Sequence, residues 1–218
     1  METKFVSLGS YCEVAHNLSR SGLRLEGYPF DYITTIDSEG LLKMLEEDFE
    51  FFLDDKYLTT SPRDPDHPLY NNYYKMEFLH EGDFNIENKE VYDTNLKIFK
   101  ERYTRKIDRF RNLKYKEKVI FIRHARYYEP RREYHDKENE YISDDYAIRL
   151  YNTLSSYFKE LNFKLIIINK YDDNCDLTDK TISEEKRIND NLIIAKSNIN
   201  LDDTQKSDMY KKYLLNLQ

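Results

Sequence analysis

The chain has 218 residues, 39% hydrophobic and 34% charged, with a formal net charge of −7. This length predicts a single domain, residues 1–218, able to bury a real core. The negative balance argues against general nucleic-acid binding, which needs an excess of phosphate-neutralising cations. Twenty Tyr and twelve Phe, with no Trp, supply the contact area that a modest aliphatic content lacks.

The two cysteines, Cys12 and Cys175, set up neither a disulfide framework nor a metal site, and free thiols suit a reducing compartment. No signal peptide is expected, because Met1 to Lys4 runs straight into a strand. No apolar run approaches the ~18 residues needed to cross a bilayer. These features predict a cytoplasmic protein, in a cell or an infected host cell, with no membrane partner.

In chain order, "KFVSLG" reads as a short buried strand broken at Gly9. Ser10 is placed to cap a helix whose apolar positions are Val14, Ala15 and Leu18. Cys12 falls in the first turn, where the helix dipole and unpaired N–H groups favour thiolate. A turn and an aromatic-rich segment follow, "SGLRLEGYPFDYITT". A helix begins at Ser38 with Leu41, Leu42 and Leu45 on one face, and "EDFEFFLDD" carries Phe49, Phe52 and Leu53 as an anchor. Three prolines and no periodicity make residues 59–72 a surface loop. "YYKMEFLHEGDF" is an extended segment entering a turn at Gly82.

The strongest periodicity predicts a helix over 90–113, with Leu96, Phe99, Tyr103, Ile107, Phe110 and Leu113 on one face. Its Lys and Arg residues read as a solvated stripe. "KVIFIRH" is a buried strand and 125–142 a charged loop. A helix capped by Ser143 or Asp144 runs to Leu161. "FKLIIINK" and "NLIIAKS" are two more buried strands, and a helix spans 203–217. Continuous apolar strands alternating with amphipathic helices predict an α/β fold. It has three layers, a mostly parallel central sheet with helices on both faces. "KVIFIRH" and "FKLIIINK" should be parallel neighbours joined through the intervening helix.

Loops at the carboxyl ends of such strands carry sites. Those loops begin at Gly9, Arg123 and Asn169, so Cys12, Arg123, His124 and Asp172, with Asp173 beside it, could lie along one edge. A cysteine nucleophile needs a base and a group that orients it. His80 with Asp83, or His124 with Asp172, could serve. Arg123, ending an apolar strand, could bind a carboxylate or phosphate in bidentate fashion or pair with an internal acid. No metal-ligand spacing and no cofactor-binding glycine motif is present, so no cofactor is expected.

Taken together, "SLGSYC", "PFDY", "HEGDF", "RKIDRF" and "FIR" resemble, in this order over about residues 4 to 124, an uncharacterised family of papain-like cysteine peptidases. That family has bacterial and large-DNA-virus members. The resemblance implies Cys12 as nucleophile, His80 as base, and Asp31 and Asp83 as acid candidates. It further implies a protein or peptide substrate, a viral or bacterial source and a papain-like α+β alternative for the fold. In this sequence "HEGDF" has two residues inserted relative to the family's "HDF". The segment from "FIRHAR" to "LIIINKYDD" also resembles glycosyltransferases of the two-Rossmann type. By that likeness Arg123 would meet a nucleotide-sugar diphosphate and Cys12 would be only a turn residue; Gly9, Ser10, Arg123 and His124 are the candidate substrate-binding residues. A catalytically inactive viral interaction module is the third alternative.

Overall fold

The computed structural model describes residues 3–35, 37–60, 69–78, 80, 81, 84, 88–115, 118–125, 141–170, 182–197 and 203–217. The apolar segments form the expected central sheet. Strands β1 (Lys4–Ser7), β6 (Val119–His124), β7 (Phe163–Lys170) and β9 (Leu192–Ser197) lie side by side and parallel. The chain is therefore α/β with a mostly parallel central sheet. Strands β6 and β7 pair directly, Val119 with Phe163 through His124 with Ile168, and helix α4 (Asp144–Tyr157) lies between them in sequence.

Side chains alternate across a strand, and both faces of this sheet are buried. On β6, Val119 and Phe121 join the larger core cluster, with Leu41 and Leu45 of helix α2 (Ser38–Glu46). Phe99, Tyr103 and Phe110 of helix α3 (Lys89–Arg111) and Leu150 and Leu154 of α4 complete it. Ile120 and Ile122 point the other way, to Val14 and Leu18 of helix α1 (Glu13–Arg20) and to Met209, Tyr210 and Leu214 of helix α5 (Asp203–Leu215). A layer of helix thus covers each face. Rings compensate for scarce aliphatics: Phe110 meets Phe30, Phe49 and Phe158 at centroid distances of 5.3, 5.6 and 5.1 Å, mostly edge-on, the geometry that ring quadrupoles favour.

Two features depart from the expectation. Strand β8 (Ile182–Asn189) adds an antiparallel edge to β9. Its sequence, ISEEKRIN, has no apolar run because an edge strand is protected by charge. Glu185 pairs with Lys196 of β9, and Glu184 with Arg187. The second is a small antiparallel sheet of β2 (Thr34–Thr35), β5 (Met76–Glu77), β4 (Leu69–Asn71) and β3 (Leu58–Thr60). The surface loop expected over 59–72 is therefore corrected at both ends, where β3 and β4 pair; residues 61–68 lie outside the described set. Asn71 holds this subdomain: its amide donates to the Phe51 and Phe52 carbonyls, and its oxygen accepts from the Tyr73 and Tyr74 N–H groups.

The basic face of α3 is a set of clamps rather than a solvated stripe. Lys100 pairs with Asp55, Arg102 and Lys106 with Glu81, and Arg111 with Asp48, while Arg109 donates to the Gly27 carbonyl. These contacts tie the long helix to the segments before and after α2. Among the described residues no helix is long and apolar enough to cross a membrane.

Candidate functional site

The first wall of the site is the bend after β1. Leu8 N–H still pairs with the Ile122 carbonyl, and Gly9 N–H donates to Ser7 Oγ at 3.2 Å. The backbone then passes through two successive left-handed residues, Gly9 at φ 75° and Ser10 at φ 81°. For Ser10 this conformation carries strain that the surroundings must offset, and its side chain is fully buried. A β-carbon on Gly9 would sit 3.4 Å from the Phe30 carbonyl oxygen, so this bend lies against the "PFDY" turn.

The expectation that Ser10 caps α1 is corrected. Its left-handed, buried conformation turns it inward, and the helix starts two residues later with Cys12 as N-cap. Cys12 is half-buried and outside any disulfide, and its side chain makes no capping hydrogen bond. The thiol therefore stands at a helix end whose first N–H groups lack intrahelical acceptors, an environment that favours thiolate. Glu13, the acid that would oppose this, is 3.6 Å from Lys206 Nζ of α5.

Asp31 builds the second wall. Its Oδ2 accepts from Arg24 Nε and Nη2 at 3.0 and 2.8 Å and from the Tyr28 N–H at 2.8 Å. Burial pushes the Asp31 carboxyl above the usual carboxylate range, opposed by Arg24, the Tyr28 N–H and Lys106. The next residue, Tyr32, is left-handed at φ 59°. Its ring lies 5.3 Å from the Arg24 guanidinium and 6.1 Å, edge-on, from the exposed His80 ring. Asp31 thus anchors the turn that carries the aromatic partner of His80. Asp83 lies outside the described residues, as do Asp172, Asp173 and Cys175.

Glu81, next to His80, is a buried acid with three donors. Arg102 Nη1, Tyr103 Oη and Lys106 Nζ approach to 2.5, 3.0 and 3.5 Å. Burial lowers Lys106 from the ordinary amine range, opposed by Glu81 and Asp31, and raises Tyr103 well above the phenol range. Sequence reading missed this cluster. The available signal was Lys106 itself, a cation on the same helical face as Tyr103 and Phe110.

Arg123 and His124 close β6 and point to opposite faces. Arg123 is fully buried. Its Nη1 donates to the Leu8 carbonyl at 3.0 Å, its Nη2 to Thr35 Oγ1 and Ser38 Oγ at 3.1 Å each, and it lies over the Tyr146 ring at 5.9 Å. These bonds turn the guanidinium inward, onto the bend before Cys12 and the start of α2, rather than toward a diphosphate. His124, 4% exposed, contacts the Ala125 carbonyl and Ser197 Oγ. Among the described residues no group of three or more His, Cys, Asp or Glu could hold a metal.

Contacts join the five motifs in sequence: Gly9 lies against Phe30, Tyr32 against His80, Glu81 on Arg102 and Lys106 of α3, and Arg123 across Leu8 and Ser38; none of these contacts joins Cys12 to His80. Comparison with known proteins gives the family. Residues 3–173 match the family described as "Putative papain-like cysteine peptidase (DUF1796)", and the chain belongs to it. It is 28% identical over 141 residues to an uncharacterized protein of Acanthamoeba polyphaga mimivirus, a match covering 56% of this chain and 61% of that protein's length. No solved structure matches.

Proposed function

We propose that this member of the family is a cysteine-dependent hydrolase of protein or peptide substrates, with Cys12 as nucleophile. The observation that carries the reading is Cys12 at the N-cap of α1, half-buried and outside any disulfide. There the helix end stabilises the thiolate. His80, exposed and held edge-on to Tyr32, is the base. Asp31 positions His80 indirectly, through the turn bearing Tyr32. Gly9 and Ser10 give the bend that presents the thiol, and Arg123 fastens that bend from below. The sulfur attacks the substrate carbonyl carbon, the leaving amine takes its proton through His80, and water releases the acyl group. The reading also implies one domain working in a reducing, cytoplasmic setting.

Iodoacetamide labelling followed by peptide mass spectrometry tests this reading. At neutral pH the native protein should be modified at Cys12 much faster than at Cys175, and His80→Ala should slow peptide hydrolysis without slowing that labelling to the level of Cys175. Labelling of Cys12 no faster in the native than in the urea-unfolded chain would remove the physical support.

A further inference from the structure

The carboxyl rim of the sheet carries a second nucleophile-and-base pair, built from residues the cysteine site does not use. His124 ends β6 and Ser197 ends β9, two strands away across β7. Alternation places both on the face that α1 and α5 cover, in line with Ile120 and Ile122 on one strand and Ile193 and Ala195 on the other. His124 Nδ1 is 2.7 Å from the Ala125 carbonyl oxygen, and Nε2 is 3.1 Å from Ser197 Oγ. A carbonyl only accepts, so Nδ1 carries the proton. In the neutral ring Nε2 then offers its lone pair, and the Ser197 hydroxyl donates to it.

This order of nucleophile, base and orienting acceptor activates a serine; here the Ala125 carbonyl occupies the place a carboxylate takes elsewhere. We propose that Ser197 is an activated serine that accepts an acyl group from a small activated ester, with His124 as general base. Ser197 Oγ bonds to the carbonyl carbon and the ester C–O bond breaks. The serine proton passes to His124 Nε2 and then to the departing alkoxide, giving acyl-serine and an alcohol. Water then bonds to the acyl carbon, giving up a proton to His124 Nε2; the Oγ–acyl bond breaks, the proton returns to Ser197 Oγ, and the carboxylic acid leaves. The size limit follows from burial, with 1% of Ser197 and 4% of His124 exposed. The location is the edge where sheets of this class bind ligands.

The test uses the Cys12→Ala full-length chain, so that no acyl group is carried by the thiol. The protein is treated with p-nitrophenyl acetate and, separately, with an alkyl fluorophosphonate, and the Ser197 peptide is read by mass spectrometry. The expected result is modification of Ser197 at least about 100-fold faster than in the urea-unfolded chain, the scale of general-base assistance. The rate should fall in acid as the imidazole protonates, and His124→Gln should abolish it with the far-UV spectrum unchanged. If His124→Gln fails to fold, the acid fall-off in the Cys12→Ala chain decides. Modification no faster than in the unfolded chain, or a rate indifferent to acid, would overturn the proposal. Neither result touches the Cys12 reading, which is tested on a different residue with a different reagent.

Discussion

The Arg123 guanidinium donates through Nη1 to the Leu8 carbonyl, 3.0 Å away, and so fastens the end of β6 to the bend that precedes Cys12. With Nη2 shared between Thr35 and Ser38, one side chain spans three segments. Arg123→Ala would strand the Leu8 carbonyl and leave a large void, at a cost of about 3 kcal/mol or more. Arg123→Lys should rescue poorly, because one ammonium cannot reproduce the planar fork. Urea melts measure both. Nucleotide sugars should leave the wild-type melt unchanged; a near-native Arg123→Ala melt together with wild-type stabilisation by a nucleotide sugar would restore the diphosphate role for Arg123.

Gly40 tests the packing of α2 on the small sheet. A β-carbon there would lie 1.9 Å from the Tyr74 carbonyl oxygen and 2.9 Å from its carbonyl carbon, both backbone atoms. Alanine would gain about 1 kcal/mol of helix propensity. The clash forces α2 away from the turn, and overpacking of this kind costs ~1–3 kcal/mol or more. The net sign is destabilising. A Gly40→Ala melt at or above the wild type would show that α2 does not sit this close to Tyr74.

The Glu81 cluster predicts strong coupling. Glu81→Gln removes the ion-pair partner of the buried Lys106 and leaves only the field of Asp31 to oppose its desolvation, and Lys106→Met removes one donor while Arg102 and Tyr103 still satisfy the acid. The first change should cost about 3–5 kcal/mol and the second less. In the double variant the total should fall short of the sum of the singles by at least ~1 kcal/mol. Additive melts would mean that Lys106 and Glu81 do not share a desolvated contact.

How much of this was legible in the sequence depended on what each segment buries. Strands β6, β7 and β9 announce themselves because both faces of a parallel sheet are covered, so each carries an unbroken apolar run: VIFI, LIII and LIIA. Strand β8 carries EEKR because only one edge of it meets protein. The small sheet has strands of two or three residues, too short for any period, and its organiser is Asn71, a residue that sequence patterns assign to turns. The α3 stripe looked solvated because the acids that bind it, Asp48, Asp55 and Glu81, lie tens of positions away. The order of the family motifs was readable, but the contacts of Arg123 with Leu8 and of Gly9 with Phe30 exist only in three dimensions. Ser10 failed as a cap because side-chain chemistry alone does not reveal a left-handed backbone.

Buried tyrosines set the alkaline limit of stability. Tyr103 and Tyr210 are fully buried, and burial first, then Glu81 for Tyr103 and Glu13 for Tyr210, raises both phenols well above their ordinary range. Burial and Glu184 push Tyr213 up to about 12, and Tyr28, Tyr74 and Tyr157 move in the same direction, chiefly through burial. A folded-state value above the unfolded one means that the unfolded chain loses its proton first. The stabilisation is therefore complete below about pH 10 and is lost as pH rises through the folded values. Each fully buried phenol contributes a slope of about 1.4 kcal/mol per pH unit in that window. Lys106, lowered by burial, works in the opposite sense up to its ordinary range near pH 10.4, but it is one group against several. Phenolate absorbance should rise in two steps, exposed tyrosines first and the buried set together with unfolding. Tyr103→Phe should flatten the pH dependence of stability above pH 10 by about one group's slope. A single smooth titration of all twenty tyrosines with the far-UV spectrum intact would show that these rings are open to solvent.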